Sequence, residues 1–250
     1  MHASQFHDVV AEAAVAEYQA AQNSWARSQF IEDMIALYPT SQLTEWALAT
    51  PVSPANTLAA SLLGDLAERA ANIAEARSWF TKAAENGDFY AYASLASIEI
   101  GNGQIGAAIP LLQSAAELGD PETMVCLGAY YVEDGKPEFA KKWWRKAADA
   151  DVSKAMVYLG LLAEELADLA EARKWLRKAA IAGNVLGMNL LGNMLFDAGE
   201  ITEARQWYQR AANLGDLNAL FNIEDIEESL RTEGVTQILS NQGTALDVAA

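Results

Sequence analysis

Gly101-Asn102-Gly103-Gln104-Ile105-Gly106 spells G-x-G-x-x-G, a pattern that lets a backbone close around a pyrophosphate. That chemistry needs a strand before the glycines, a helix after them and an acid about 20 residues on. No strand pattern precedes Gly101, and glycine recurs at this place in other copies of a repeat, so the segment reads as a turn. Cys126 is the single cysteine, which excludes an internal disulfide and a cysteine-based zinc site. No histidine recurs near it to form a nucleophile–base pair, and an inert helical residue is expected. His2 and His7, the only histidines, are five apart and lack further ligands, so no metal site is expected. Neither a G-x-S-x-G, an H-E-x-x-H nor a Walker motif occurs. Glu164, Glu165 and Asp197 fall on neighbouring helices, and a close carboxylate pair can raise one pKa for acid–base work. All three are expected on exposed faces. The expectation is therefore no catalytic residue, no cofactor and no metal.

Composition narrows the partners. The chain has 250 residues with 34 acidic and 17 basic side chains, a formal charge of −17. Such a surface repels phosphates, so nucleic acid is not an expected partner. Apolar residues make up 52%, too many for a disordered chain. Their runs end at Glu, Asp, Gly or Asn before the roughly 18–20 residues a spanning helix needs, so no membrane is expected. The first basic residue is Arg27, and Glu12 and Glu17 interrupt the N-terminal apolar positions, unlike a signal peptide. With one cysteine, these features point to a soluble protein of a reducing, cytoplasmic compartment.

The elements come from a 32-residue period. EARSWFTKAAENGD (75–88) is followed at steps of 32 by AAIPLLQSAAELGD, FAKKWWRKAADADV, EARKWLRKAAIAGN and EARQWYQRAANLGD. Taking 57–88 as the unit gives five repeats to residue 216. Ala76, Ala108, Ala140, Ala172 and Ala204 share one position, and alanine pairs follow seven residues later. Leu63, Leu95, Leu127, Leu159 and Leu191 share another. Gly64, Gly128, Gly160 and Gly192 come next, with Ala96 in the second copy. Glycine within a helix costs about 1 kcal/mol against alanine, so its recurrence implies that a side chain there would strike the partner helix. Each unit reads as two helices, at positions 3–14 and 18–30, with Gly103, Gly135 and Gly199 between them. Gly87, Gly119, Gly183 and Gly215 suit the left-handed residue that ends a helix. Short links make consecutive helices antiparallel. Trp79, Trp143, Trp175 and Trp207 share a site expected in the core.

The Leu–Gly of the first helix, the alanine opening the second and the aromatic–x–x–Ala–Ala–x–x–Gly–Asp ending, as in WFTKAAENGD, resemble a tetratricopeptide-type repeat and more closely a Sel-one-like repeat. The resemblance covers 57–216. It implies an all-α, right-handed α-solenoid of antiparallel helix pairs and a non-catalytic scaffold or adaptor for protein–protein interaction. It also implies that first helices line a concave groove. In this chain the matching non-core positions include Tyr90, Ile100, Val132, Lys154, Tyr158, Asn189, Asn193, Phe196, Phe221 and Asn222. Asparagines matching Asn193 and Asn222 hold a peptide backbone or carboxylate in peptide-binding members. An amide offers both donor and acceptor, so it pairs with main chain without reading side chains. Asn189 and Asn193 are four apart and share a helix face. A protein or peptide partner in this groove is the primary expectation.

The flanks differ. Residues 1–56 fall outside the register and carry helical patterns at about 4–22, 24–38 and 41–49, then a break at 50–56 where Ser53–Pro54 reads as a cap. This extension is expected to cap the array's exposed apolar end or to dock on a second copy in a homodimer. Residues 217–231 keep the helix pattern, with Glu224 at the glycine position, and read as a C-terminal cap; 232–250 are expected to be frayed. Twelve bases lie on second helices and align into a ridge, read as a solvated outer face.

Overall fold

A computed structural model describes residues 14, 16–18, 20, 21, 24–48, 54–228, 230 and 231. The readings for His2, His7, Ser53 and 232–250 lie outside these residues, as does most of the 4–22 helix. The chain forms two compact units, 1–150 and 151–250. Among the described residues every regular element is helical.

The first unit holds α1 (Ser24–Leu37), α2 (Thr40–Leu48), α3 (Pro54–Arg69), α4 (Ile73–Glu85), α5 (Phe89–Gly101), α6 (Ile105–Glu117), α7 (Pro121–Glu133) and α8 (Pro137–Asp149). The second holds α9 (Ser153–Glu165), α10 (Leu169–Ile181), α11 (Val185–Asp197) and α12 (Ile201–Asn213), then α13, helical over 217–228. In each repeat the first helix packs on the second as a hairpin, and within each unit the second packs on the first helix of the next repeat. This is the α-solenoid arrangement with the expected 32-residue step. First helices begin about two residues earlier than read from the sequence, because the Gly–Asp ending of one repeat already starts the next helix.

That ending does two jobs. Gly87, Gly119, Gly183 and Gly215 take φ of +80, +101, +84 and +90°, the region where glycine has no Cβ penalty. The residue after each then donates its N–H back to the first alanine of the pair, as Asp88 does to Ala83 (3.3 Å) and Asp120 to Ala115 (3.1 Å). The same Asp88 and Asp120 side chains accept from the N–H groups of Tyr90 (3.2 Å) and Thr123 (3.1 Å), capping the following helix. The third repeat lacks the motif. Asp151 adopts φ +61°, and Val152 begins α9 with no side-chain cap. The two units meet in sequence at this place.

The glycine of the first helix faces the residue sixteen positions on. A Cβ on Gly64 would stand 2.6 Å from the Phe80 ring, on Gly160 2.7 Å from Leu176, and on Gly192 2.5 Å from Tyr208; on Gly128 it would strike the Trp144 indole. The shared alanines at 76, 108, 140, 172 and 204 are all fully buried, so the two helices approach closely on both sides.

The N-terminal helices are placed differently from one another. α2 packs on α3, the first helix of the array. α1 instead crosses α3, α5 and α7, the first helices of three successive repeats.

Candidate functional site

The tryptophans settle which face of each hairpin is inner. Trp143, Trp175 and Trp207 are all buried. Trp175 and Trp207 donate their indole N–H groups to Glu171 (3.3 Å) and Glu203 (3.2 Å), four residues earlier. Lys146, Lys178 and Arg210 lie over the three rings at 4.2, 4.4 and 4.5 Å, a cation–π arrangement. The environments are therefore equivalent in repeats three to five, whereas Trp79 of the first repeat, expected in the core, is only half-buried and donates to Glu75 at 3.4 Å. The basic ridge of the second helices is largely spent within the chain. Arg173 makes a two-pronged contact to Glu200 (2.7 and 2.5 Å), Arg177 reaches Glu203 at 2.8 Å and Arg205 reaches Glu227 at 2.8 Å. Those hydrogen bonds hold the Glu200 and Glu203 carboxyls below their ordinary pKa and raise that of Arg173. The remaining candidate groups lie on the first helices.

In the second unit, consecutive first helices are tied at their N-terminal ends. The Asn184 amide, which caps α11, donates to Ser153 of α9 at 3.2 Å. Asn189 of α11 donates to Asp216, which precedes α13. Its own Oδ1 is buried with no hydrogen-bond partner among the described residues. Asn189 is thus partly absorbed into the packing. Asn193 is exposed, and its Oδ1 accepts the Tyr208 hydroxyl at 2.6 Å. That leaves its amide N–H groups for a partner. Burial and the nearby Asp197 and Asp225 carboxylates push the Tyr208 hydroxyl up to about 12, so it stays a donor and fixes the Asn193 amide. Lys154 and Tyr158 stand one turn apart on α9, the ammonium 5.9 Å from the ring centre. Phe196 and Asn222 are half-buried, while Phe221 is 64% exposed. Seven of the expected groove residues thus lie on α9, α11 and α13 of one unit.

Tyr90 belongs to the other unit, and its exposure as a groove residue does not hold. It is 7% exposed, and its hydroxyl donates to Asp65 at 3.0 Å. Desolvation and that carboxylate raise its pKa far above the usual tyrosine range. The tyrosine sits on the first-helix face, as expected. It is buried where α1 crosses that face, a packing with no signature in the repeat register. Glu164, Glu165 and Asp197 are exposed. Cys126 is an exposed residue of α7. The G-x-G-x-x-G segment is the turn between α5 and α6, with Gly103 at φ +73°. Among the described residues no group of three His, Cys, Asp or Glu side chains is placed to hold a metal. No helix among them is long and apolar enough to cross a membrane.

Profiles of the Sel1 repeat match residues 55–88, 91–120, 127–152 and 153–184, and that of a tetratricopeptide repeat matches 187–214. The chain is a Sel1-like helical-repeat protein of the tetratricopeptide type. No curated protein matches its sequence. Solved structures share the fold. The protective antigen c5321 of uropathogenic Escherichia coli, with an SLR fold, aligns at a TM-score of 0.65 and 20% identity, over 91% of this chain and 58% of that one. This chain therefore spans little more than half the length of c5321. A Sel1 repeat protein from Oxalobacter formigenes gives 0.59 and 22%, over 86% and 89%. Pseudomonas aeruginosa pilF gives 0.53 and 19%, over 69% and 87%. Sel1-like and tetratricopeptide repeats generally serve as protein–protein interaction scaffolds and are typically non-catalytic.

Proposed function

We propose that the chain is a non-catalytic adaptor whose second unit binds a peptide or helix of a protein partner along α9, α11 and α13. The observation that carries the reading is the combination on this face of an oriented, exposed Asn193 amide with a 64%-exposed Phe221. An amide fixed by Tyr208 gives main-chain recognition without a reorganisation cost. Phe221, with Phe196 and Tyr158, supplies the apolar area that a ligand side chain covers. Lys154 adds a cation for an acidic group or a C-terminal carboxylate. In this reading residues 57–216 are the repeat array, 1–56 an extension and cap, and 217–250 the C-terminal cap and tail, acting in the cytoplasm without cofactor. Dimerisation through the N-terminal helices is the weaker alternative, because α1 is already packed on its own chain. The test is quantitative capture by the full chain and by Asn193→Ala/Asn222→Ala, with thermal unfolding as the folding control. A specific partner lost by at least tenfold at unchanged stability supports the assignment. A partner retained in full removes it.

A further inference from the structure

The N-terminal segment occupies the place of a ligand. Among the described residues α1 forms no hairpin with a neighbour; it lies across α3, α5 and α7, the successive first helices that form a recognition face in repeat arrays of this kind. Arg27, Ile31 and Met34, spaced four and three, form one buried stripe on it. The Arg27 guanidinium pairs with Asp88, whose side chain is fully buried, and lies 3.6 Å over the Phe89 ring. Tyr18, nine residues earlier, donates to the same carboxylate at 2.5 Å. Ser61 of α3 donates to it as well, at 2.6 Å. From the array side, among the described residues, Asp88 has the Ser61 hydroxyl and the Tyr90 N–H as donors. The cation comes entirely from the segment.

We propose that the α3–α5–α7 face of the first unit is a helix-binding surface, that α1 is its built-in competitor, and that the external partner is a helix repeating the α1 chemistry. That chemistry is an arginine with apolar residues four and seven positions later and a tyrosine nine positions before. Charge selects it: an occupant without a cation leaves Asp88 buried and uncompensated, which is strongly unfavourable. The contact is also exchangeable. The Arg27 Nε is buried with no hydrogen-bond partner among the described residues, so the docked state leaves one donor unmet. α2 packs on α3 independently, joined to α1 through Tyr38 and Pro39, so the array keeps its end cap when α1 leaves. This surface is separate from α9, α11 and α13, and Asn193→Ala/Asn222→Ala leaves it intact.

The probe is a fluorescein-labelled peptide of residues 14–37, followed by anisotropy against full chains. Arg27→Ala in the chain loosens α1 and preserves Asp88, so it should bind the peptide at least tenfold more tightly than wild type. Adding Asp88→Asn to that chain, or Arg27→Ala to the peptide, should remove the gain. Circular dichroism verifies folding; if Arg27→Ala unfolds the chain, Tyr18→Phe replaces it with a smaller expected gain. In wild type, hydrogen exchange of residues 24–37 should run at least tenfold faster than that of α5. Equal peptide affinity for wild type and variant overturns the proposal. So does exchange of α1 in step with α5, which makes it a permanent part of the core. Concentration-dependent dimers of the Arg27→Ala chain that the peptide fails to dissolve also overturn it, because the occupant is then a second copy docked elsewhere.

Discussion

Replacing Gly64 by alanine should destabilise the first unit, against the helix propensity of the two residues. Propensity alone favours alanine by about 1 kcal/mol. The added Cβ would sit 2.6 Å from two carbons of the Phe80 ring, whereas carbon atoms rest about 3.5–4.0 Å apart. The ring must withdraw by about 1 Å. Phe80 is fully buried, and it packs edge-on to Tyr90 with centroids 6.2 Å apart. Overpacking of this kind costs roughly 1–3 kcal/mol, and the lack of room places it near the upper end. The net expectation is a loss of roughly 1–2 kcal/mol. Gly106 in α6 is the control, since nothing lies within 4 Å of its Cβ position; Gly106→Ala should stabilise by up to about 1 kcal/mol. The second repeat carries a natural compensation, Ala96 sixteen residues before Leu112. Adding Phe80→Leu to Gly64→Ala should therefore recover stability beyond additivity by about 1 kcal/mol. Urea unfolding by circular dichroism reads wild type, Gly64→Ala, Gly106→Ala, Phe80→Leu and the double variant. If Gly64→Ala is as stable as Gly106→Ala, or the double variant is simply additive, the interlocking argument is wrong.

Ala167 holds φ +59° between α9 and α10, where an L-residue is strained; Ala167→Gly should stabilise by about 0.5–1 kcal/mol after the entropy of the unfolded glycine, or about 2–3 °C in melting temperature. Val152 has φ −74° and ψ 101°, close to Asp120 at −72° and 109°, so Asp151→Gly/Val152→Asp should restore the stop–start motif and add about 1 kcal/mol, read by urea unfolding. Glu200 has a folded pKa below its ordinary 4.5 through its hydrogen bond to Arg173. Its contribution is present above pH 4.5 and lost as pH falls through the lower folded value; Glu200→Gln should flatten that part of the acid-unfolding curve, and an unchanged curve refutes the pairing.

The repeat was legible because its constraints are local and recur. An alanine pair marks all five registers, a glycine sixteen residues before a bulky side chain marks four, and Gly–Asp or Gly–Asn ending one helix and capping the next marks four. That Asn193 and Phe221 are exposed was legible for the same reason, since the register leaves both outside the core. What stayed hidden depends on a single, non-repeated contact between distant segments. Nothing in the period tells that Arg27 meets Asp88, 61 residues on, and without that pairing Tyr90 reads as exposed. Asn189 is similar: its spacing from Asn193 marks a shared face, but the Asp216 carboxylate that takes its amide is visible only once α11 and α13 are side by side. The missing Gly–Asp at Asp151–Val152 is visible in the sequence; that two compact units divide between 150 and 151 is not.

The most direct test of the recognition claim is site-specific photocrosslinking in the full chain. A photoreactive residue replacing Phe221 on α13 is compared with one replacing Lys174, on the exposed side of α10. The account predicts a discrete protein adduct from position 221, abolished by Asn193→Ala/Asn222→Ala, and none from 174. Adducts from 174 alone, or from 221 but indifferent to the two asparagines, contradict it.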